Sequence, residues 1–158
     1  MLLLYILIDI YIVGYLFYSW YWQAVIELKA HYRIASLFWT LVFLVIFFSM
    51  DYLSNPTLGL NAIIAAFILM SIVDGFSGFA KNRLVVSGYF KRTVKYSEIE
   101  RVTLIPLPTS RKPTTMVIFQ THKRTAFTLR FSQGLEVILV AIQRYIGKET
   151  PIEIRKLI

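Results

Sequence analysis

Apolar residues form long unbroken runs over the first half of the chain and alternate with polar ones over much of the second. Leu2–Trp22 holds one charge, Asp9, in 21 residues, enough as a helix to span a hydrocarbon core of roughly 30 Å. No Lys or Arg opens this run, and it closes on the bulky Tyr18-Ser19-Trp20-Tyr21-Trp22. A cleaved signal peptide needs a basic start and a small-residue cleavage site, so the run reads as a retained span ending in an interfacial aromatic belt. A second run covers Ile34–Leu53, and Asn55-Pro56 then breaks the helix pattern. A third runs from Leu58 to about Val73, its end blurred as far as Phe79 by Asp74, Gly75 and Gly78.

Beyond residue 80 the period shortens. Arg83–Phe90 alternates around Ser87-Gly88 and turns through Lys91-Arg92 into Thr93–Lys95, which predicts a hairpin. Tyr96–Glu100 reads as a short helical turn, and Val102–Leu107 as a further strand. Pro106, Pro108 and Pro113 frame a loop carrying Arg111 and Lys112. Thr115–Thr121 and Thr125–Phe131 predict a second hairpin, turning at His122-Lys123-Arg124. Ser132 is a candidate N-cap for a helix over Gln133–Ile146, with Leu135, Ile138, Leu139, Ile142 and Ile146 on one face. The tail Pro151–Ile158 fits either an extra strand or a frayed end.

Charge follows the same division. Residues 1–79 carry two basic against four acidic side chains, and residues 80–158 carry fifteen against five, so a net of −2 is followed by one of +10. Lys29 and Arg33 lie between the first two runs, none between the second and third, and Lys81, Arg83, Lys91 and Arg92 after the third. The positive-inside rule then places the N-terminus outside and the basic half in the cytoplasm. The expected fold is three transmembrane helices over residues 1–79, followed over residues 80–158 by a small α+β pleckstrin-homology-like domain of antiparallel strands closed by a C-terminal helix.

The stretch Lys95-Tyr96-Ser97-Glu98-Ile99-Glu100-Arg101-Val102, with this layout, resembles the YobD-like family of small bacterial membrane proteins. Gly88-Tyr89-Phe90 followed by Tyr96–Ile99 is similar to a pattern in bacterial pleckstrin-homology domains. The resemblance implies no catalytic residues. It implies an accessory role beside a mannose-type phosphotransferase permease, or self-immunity in a bacteriocin producer.

Chemistry is sparse. The absence of cysteine excludes disulfides and thiolate sites. His31 and His122 have no acid at ligand spacing, and no phosphate loop, serine elbow or acidic metal motif occurs, so no catalytic, metal or cofactor site is expected. A lipid-modifying enzyme would need acids and histidines converging at the membrane. Asp9 is the sharpest single residue, because a carboxylate inside a span costs on the order of 3 kcal/mol. Either it meets a partner, such as another helix or a bound cation, or it reaches the outer interface or is neutralised by a proton. Lys81 and Arg83 leave the third run directly and are expected near the membrane surface, while Lys91, Arg92, Arg111, Lys112, Lys123 and Arg124 fall in turns, where they are expected to be exposed. Together they either touch an anionic leaflet or an acidic partner or form a solvated basic surface. The expected function is therefore a non-enzymatic accessory or docking protein of the bacterial cytoplasmic membrane, with lipid and a second membrane protein as partners and neither nucleic acid nor a small-molecule substrate.

Overall fold

The computed structural model describes residues 2–49, 58–88, 92–108 and 112–155. Among these residues, three apolar helices, α1 (Leu2–Ala24), α2 (Ala35–Ser49) and α3 (Leu58–Asp74), adjoin a β-structure of eight strands, one 3-10 turn (Tyr96–Glu98) and one further α-helix. At 1.5 Å per residue the three helices measure about 34, 22 and 26 Å. Among the described residues, only α1 is long and apolar enough to cross a membrane. Only 6% of its most apolar stretch is buried.

The strands are β1 (Ile26–Lys29), β2 (Gly78–Ala80), β3 (Arg83–Val85), β4 (Thr93–Lys95), β5 (Ile99–Leu107), β6 (Thr114–Thr121), β7 (Ala126–Phe131) and β8 (Ile152–Ile154). They form two four-stranded sheets, ordered β1-β2-β3-β4 and β7-β6-β5-β8. All pairings are antiparallel except β5 with β8. Phe79, Leu84 and Val94 of the first sheet share one core with Val102, Leu104, Val117, Phe119 and Phe131 of the second. Helix α4 (Leu135–Tyr145) closes that core with Ile138 and Ile142, while Val137 and Val140 on its outer face remain exposed.

This corrects the expected fold. Three transmembrane helices followed by a separate small domain is not the architecture: among the described residues one helix has spanning length, and the β-structure is two sheets that reach back into the helical half. Ile26-Glu27-Leu28-Lys29, between α1 and α2, pairs with β2 across the expected boundary at residue 80. Four residues of alternation are too few to stand out beside a run of twenty apolar ones. The third run does not continue to Phe79, which is fully buried in β2. Gly78 allows that change of direction, because its φ is +153° and a Cβ there would lie 2.2 Å from the Leu28 carbonyl oxygen. Helix α4 begins at Gly134 as N-cap, two residues after Ser132, with no side-chain cap. The tail alternatives resolve as a strand, β8, on β5. The Asn55-Pro56 break lies outside the described residues.

Candidate functional site

Helices α1 and α3 run side by side in the same direction. Tyr5 and Asp9 near the start of α1 meet Gly59 in the first turn of α3, where a Cβ would lie 3.2 Å from that of Tyr5. Both helices therefore deliver the chain to the same end, into β1 and towards β2, and α2 leaves from that end. The helices are joined to the sheets there by specific bonds. The Tyr15 hydroxyl donates to the Gly88 carbonyl at 3.4 Å, and the Tyr18 hydroxyl pairs with Thr93 Oγ1 at 3.4 Å. The Tyr32 hydroxyl donates to the Ile72 carbonyl at 3.0 Å, and its ring lies against Gly75, which has no side chain to obstruct it.

Arg92 lies at the centre of this junction, and its burial corrects the expectation of an exposed turn residue. It is 1% exposed. Its guanidinium donates to the Val73 carbonyl at 2.6 Å, the Asp74 carbonyl at 2.8 Å and the Val86 carbonyl at 3.3 Å, and lies 3.5 Å from the Asp74 carboxylate. That carboxylate also accepts from the Gly88 N–H at 3.0 Å and from Ser87 Oγ at 3.4 Å. Arg92 thus caps the C-terminus of α3, the negative end of its dipole. Burial lowers the guanidinium pKa, and Asp74 opposes that shift. The legible signal was Asp74: an acid in the last turn of an apolar helix sits at the unfavourable end of the dipole and requires a cation.

The remaining expected contact residues do not form one patch. Lys81 and Arg83 lie together beside the end of α1. Lys81 is exposed and lines a 460 Å³ cavity with Tyr21, Trp22 and Glu27. Arg83 lies 5.6 Å from the Trp22 ring centroid and donates to Thr93 Oγ1 at 3.1 Å. Exposed Trp20, Tyr21 and, on α2, Trp39 surround the same helix ends. Lys123 and Arg124 are exposed at the β6–β7 turn, where Arg124 takes a left-handed φ of 59°. Lys112 is exposed ahead of β6. Lys91 and Arg111 lie outside the described residues.

Sequence reasoning missed a cleft of 620 Å³ between the connector 31–34, Ser77, Ser87 and the strand Ala126–Arg130. It brings together His31, Arg33 and Arg130, from segments about a hundred residues apart, and among the described residues no acidic side chain lines it. Only pairing could reveal this: the His31 N–H donates to the Arg130 carbonyl at 2.5 Å.

Asp9 is half-buried and faces the first turn of α3, with Oδ2 4.0 Å from a Cβ position at Gly59. Its Oδ1 is buried without a hydrogen-bond partner among the described residues. His122 lies 3.9 Å from Glu100, both exposed, and no group of three metal-ligating side chains occurs among the described residues. Compared with protein-family models, curated proteins and solved structures, the chain matches none.

Proposed function

We propose that the chain is a non-enzymatic accessory protein embedded in a bacterial cytoplasmic membrane. Its apolar helical layer lies in the bilayer with the N-terminus outside, and its basic sheet domain rests on the anionic cytoplasmic leaflet. The observation that carries this reading is where the exposed apolar surface lies. Leu3, Ile10 and Phe17 of α1 are each more than 60% exposed, and Phe38, Leu41 and Phe48 of α2 more than 55%. Soluble monomers rarely expose contiguous apolar surface beyond a few hundred Å². Lipid is the surrounding in which such helices are stable.

Charge supports the orientation. Arg33, Lys81 and Arg83 stand at the helix ends from which β1 and β2 leave, among exposed Trp and Tyr. Each cation close to an anionic leaflet contributes about 1 kcal/mol of attraction. Asp9 supports the accessory role: its half-buried carboxylate, one oxygen of which has no hydrogen-bond partner among the described residues, is costly inside a span, and a polar group on another protein's helix packed beside it would offset that cost. The permease and bacteriocin-immunity associations rested on the family resemblance alone and do not enter this proposal.

The test is alkaline carbonate extraction of membranes from cells expressing the full chain, with protease added to intact spheroplasts. The chain is expected to stay in the membrane pellet and its sheet domain to survive protease. Release into the carbonate supernatant would refute the reading.

A further inference from the structure

Strand β7 is an edge of its sheet, and its outward backbone is only partly occupied. The Thr121 N–H donates to the Thr125 carbonyl at 3.0 Å, which sets the alternation of the hairpin. Phe127 and Leu129 therefore bond to β6, while Ala126, Thr128 and Arg130 turn their N–H and C=O groups away from it. The bond from His31 to the Arg130 carbonyl agrees with this parity and covers one end of the edge. The outward groups of Ala126 and Thr128 have no protein partner among the described residues. They line the 620 Å³ cleft, a volume within the range of formed ligand sites.

We infer that this cleft receives an extended, acidic segment of a partner protein, which adds to β7 as a further strand. Ala126 and Thr128 supply backbone donors and acceptors, as in strand addition to an open sheet edge. Charge complementarity defines the occupant: Arg33 and Arg130 line the groove and no carboxylate among the described residues opposes them. The segment is short, because His31 closes the edge at Arg130 and the β6–β7 turn closes it before Ala126. The inference deepens the accessory reading above and rests on it for the existence of a partner.

The test uses the full chain in detergent micelles, titrated with a capped six-residue peptide alternating valine and glutamate. Two control peptides carry lysine for glutamate, or N-methyl groups on alternate backbone nitrogens. The acidic peptide is expected to bind and to slow hydrogen exchange at the Ala126 and Thr128 amides. N-methylation is expected to weaken it by roughly tenfold or more, through lost backbone bonds. Arg33→Gln combined with Arg130→Gln is expected to weaken it by a similar factor, and Thr128→Pro to abolish it while leaving the β6 ladder intact. Equal binding of the N-methylated or lysine peptide would overturn the inference, as would no binding at millimolar peptide. Protection of the same amides by phosphatidylglycerol nanodiscs but not by peptide would also overturn it, making the cleft a lipid headgroup site. Micelles remove the bilayer from the measurement. A chain that failed carbonate extraction yet bound the peptide would lose the membrane reading and keep this one.

Discussion

Arg92 and Asp74 form a buried pair in which the arginine binds the end of a helix more than it binds the carboxylate. Its bonds to the Val73 and Asp74 carbonyls are 2.6 and 2.8 Å, against 3.5 Å to the carboxylate oxygen. Removing one partner of a buried pair leaves the other uncompensated, at a cost of about 3–5 kcal/mol. Arg92→Met is therefore expected to lower stability by that amount and Asp74→Asn by clearly less, read by thermal unfolding in detergent. Arg92→Lys should not restore it, since a single ammonium lacks the planar fork that reaches three carbonyls. Equal effects of Arg92→Met and Asp74→Asn would make the carboxylate the principal partner instead.

Gly75 and Tyr32 make a second contact across the junction. A Cβ at residue 75 would fall 2.3 Å from the Tyr32 ring. Gly75→Ala is expected to cost about 1–3 kcal/mol by overpacking. The effect should largely vanish in a Tyr32→Ala background, giving a clear coupling in a double-mutant cycle. Additive effects would mean that the Gly75 backbone, not the ring, sets the requirement.

Alkaline pH should loosen the closure of the core by α4. Tyr145 donates its phenol proton to Glu27 on β1, and this bond, with burial, raises its pKa. Burial also raises Tyr96, which stacks among Phe79 and Tyr145 and donates to the Ala80 carbonyl at 2.5 Å. A folded value above the unfolded one of about 10 gives stability that is complete below that pH. It is lost as pH rises through the folded values. Wild-type protein is expected to lose more thermal stability between about pH 9 and 12 than a variant carrying Tyr96→Phe and Tyr145→Phe. Parallel curves for the two would exclude these phenols as the source.

Asp9 is expected to weaken the isolated chain. Asp9→Leu removes a buried carboxylate oxygen without a partner and should raise detergent stability by about 1 kcal/mol or more. In native membranes the same change should abolish co-purification of a partner protein. A destabilised Asp9→Leu protein would show that the carboxylate serves the chain's own fold.

The long-period features were legible in the sequence. The apolar run of α1, the β6–β7 hairpin and the α4 stripe with Ile138 and Ile142 inward all follow from spacing. What escaped has a common physical cause, since it depends on pairing between distant segments. Strand β1 is four residues long and gains its identity only from β2. Arg92 reads as a solvent-facing turn residue until Asp74 and the end of α3 are brought to it. The cleft that joins Arg33 to Arg130 depends on the bond between His31 and β7. The third run, read from Leu58 to about Val73, matches α3, which ends at Asp74 where the Arg92 side chain caps its carbonyls, and only the blurred extension towards Phe79 belongs to a strand instead.

The most direct test of the central claim uses the chain's own tryptophans. All three, Trp20, Trp22 and Trp39, lie near the sheet-proximal ends of α1 and α2, and Trp20 and Trp39 are more than half exposed. In proteoliposomes containing brominated lipids, their fluorescence should be quenched strongly, and more by bromines near the headgroups than by bromines near the bilayer centre. Fluorescence indifferent to bromine at either depth would contradict the account, because the apolar helices would then have some cover other than lipid.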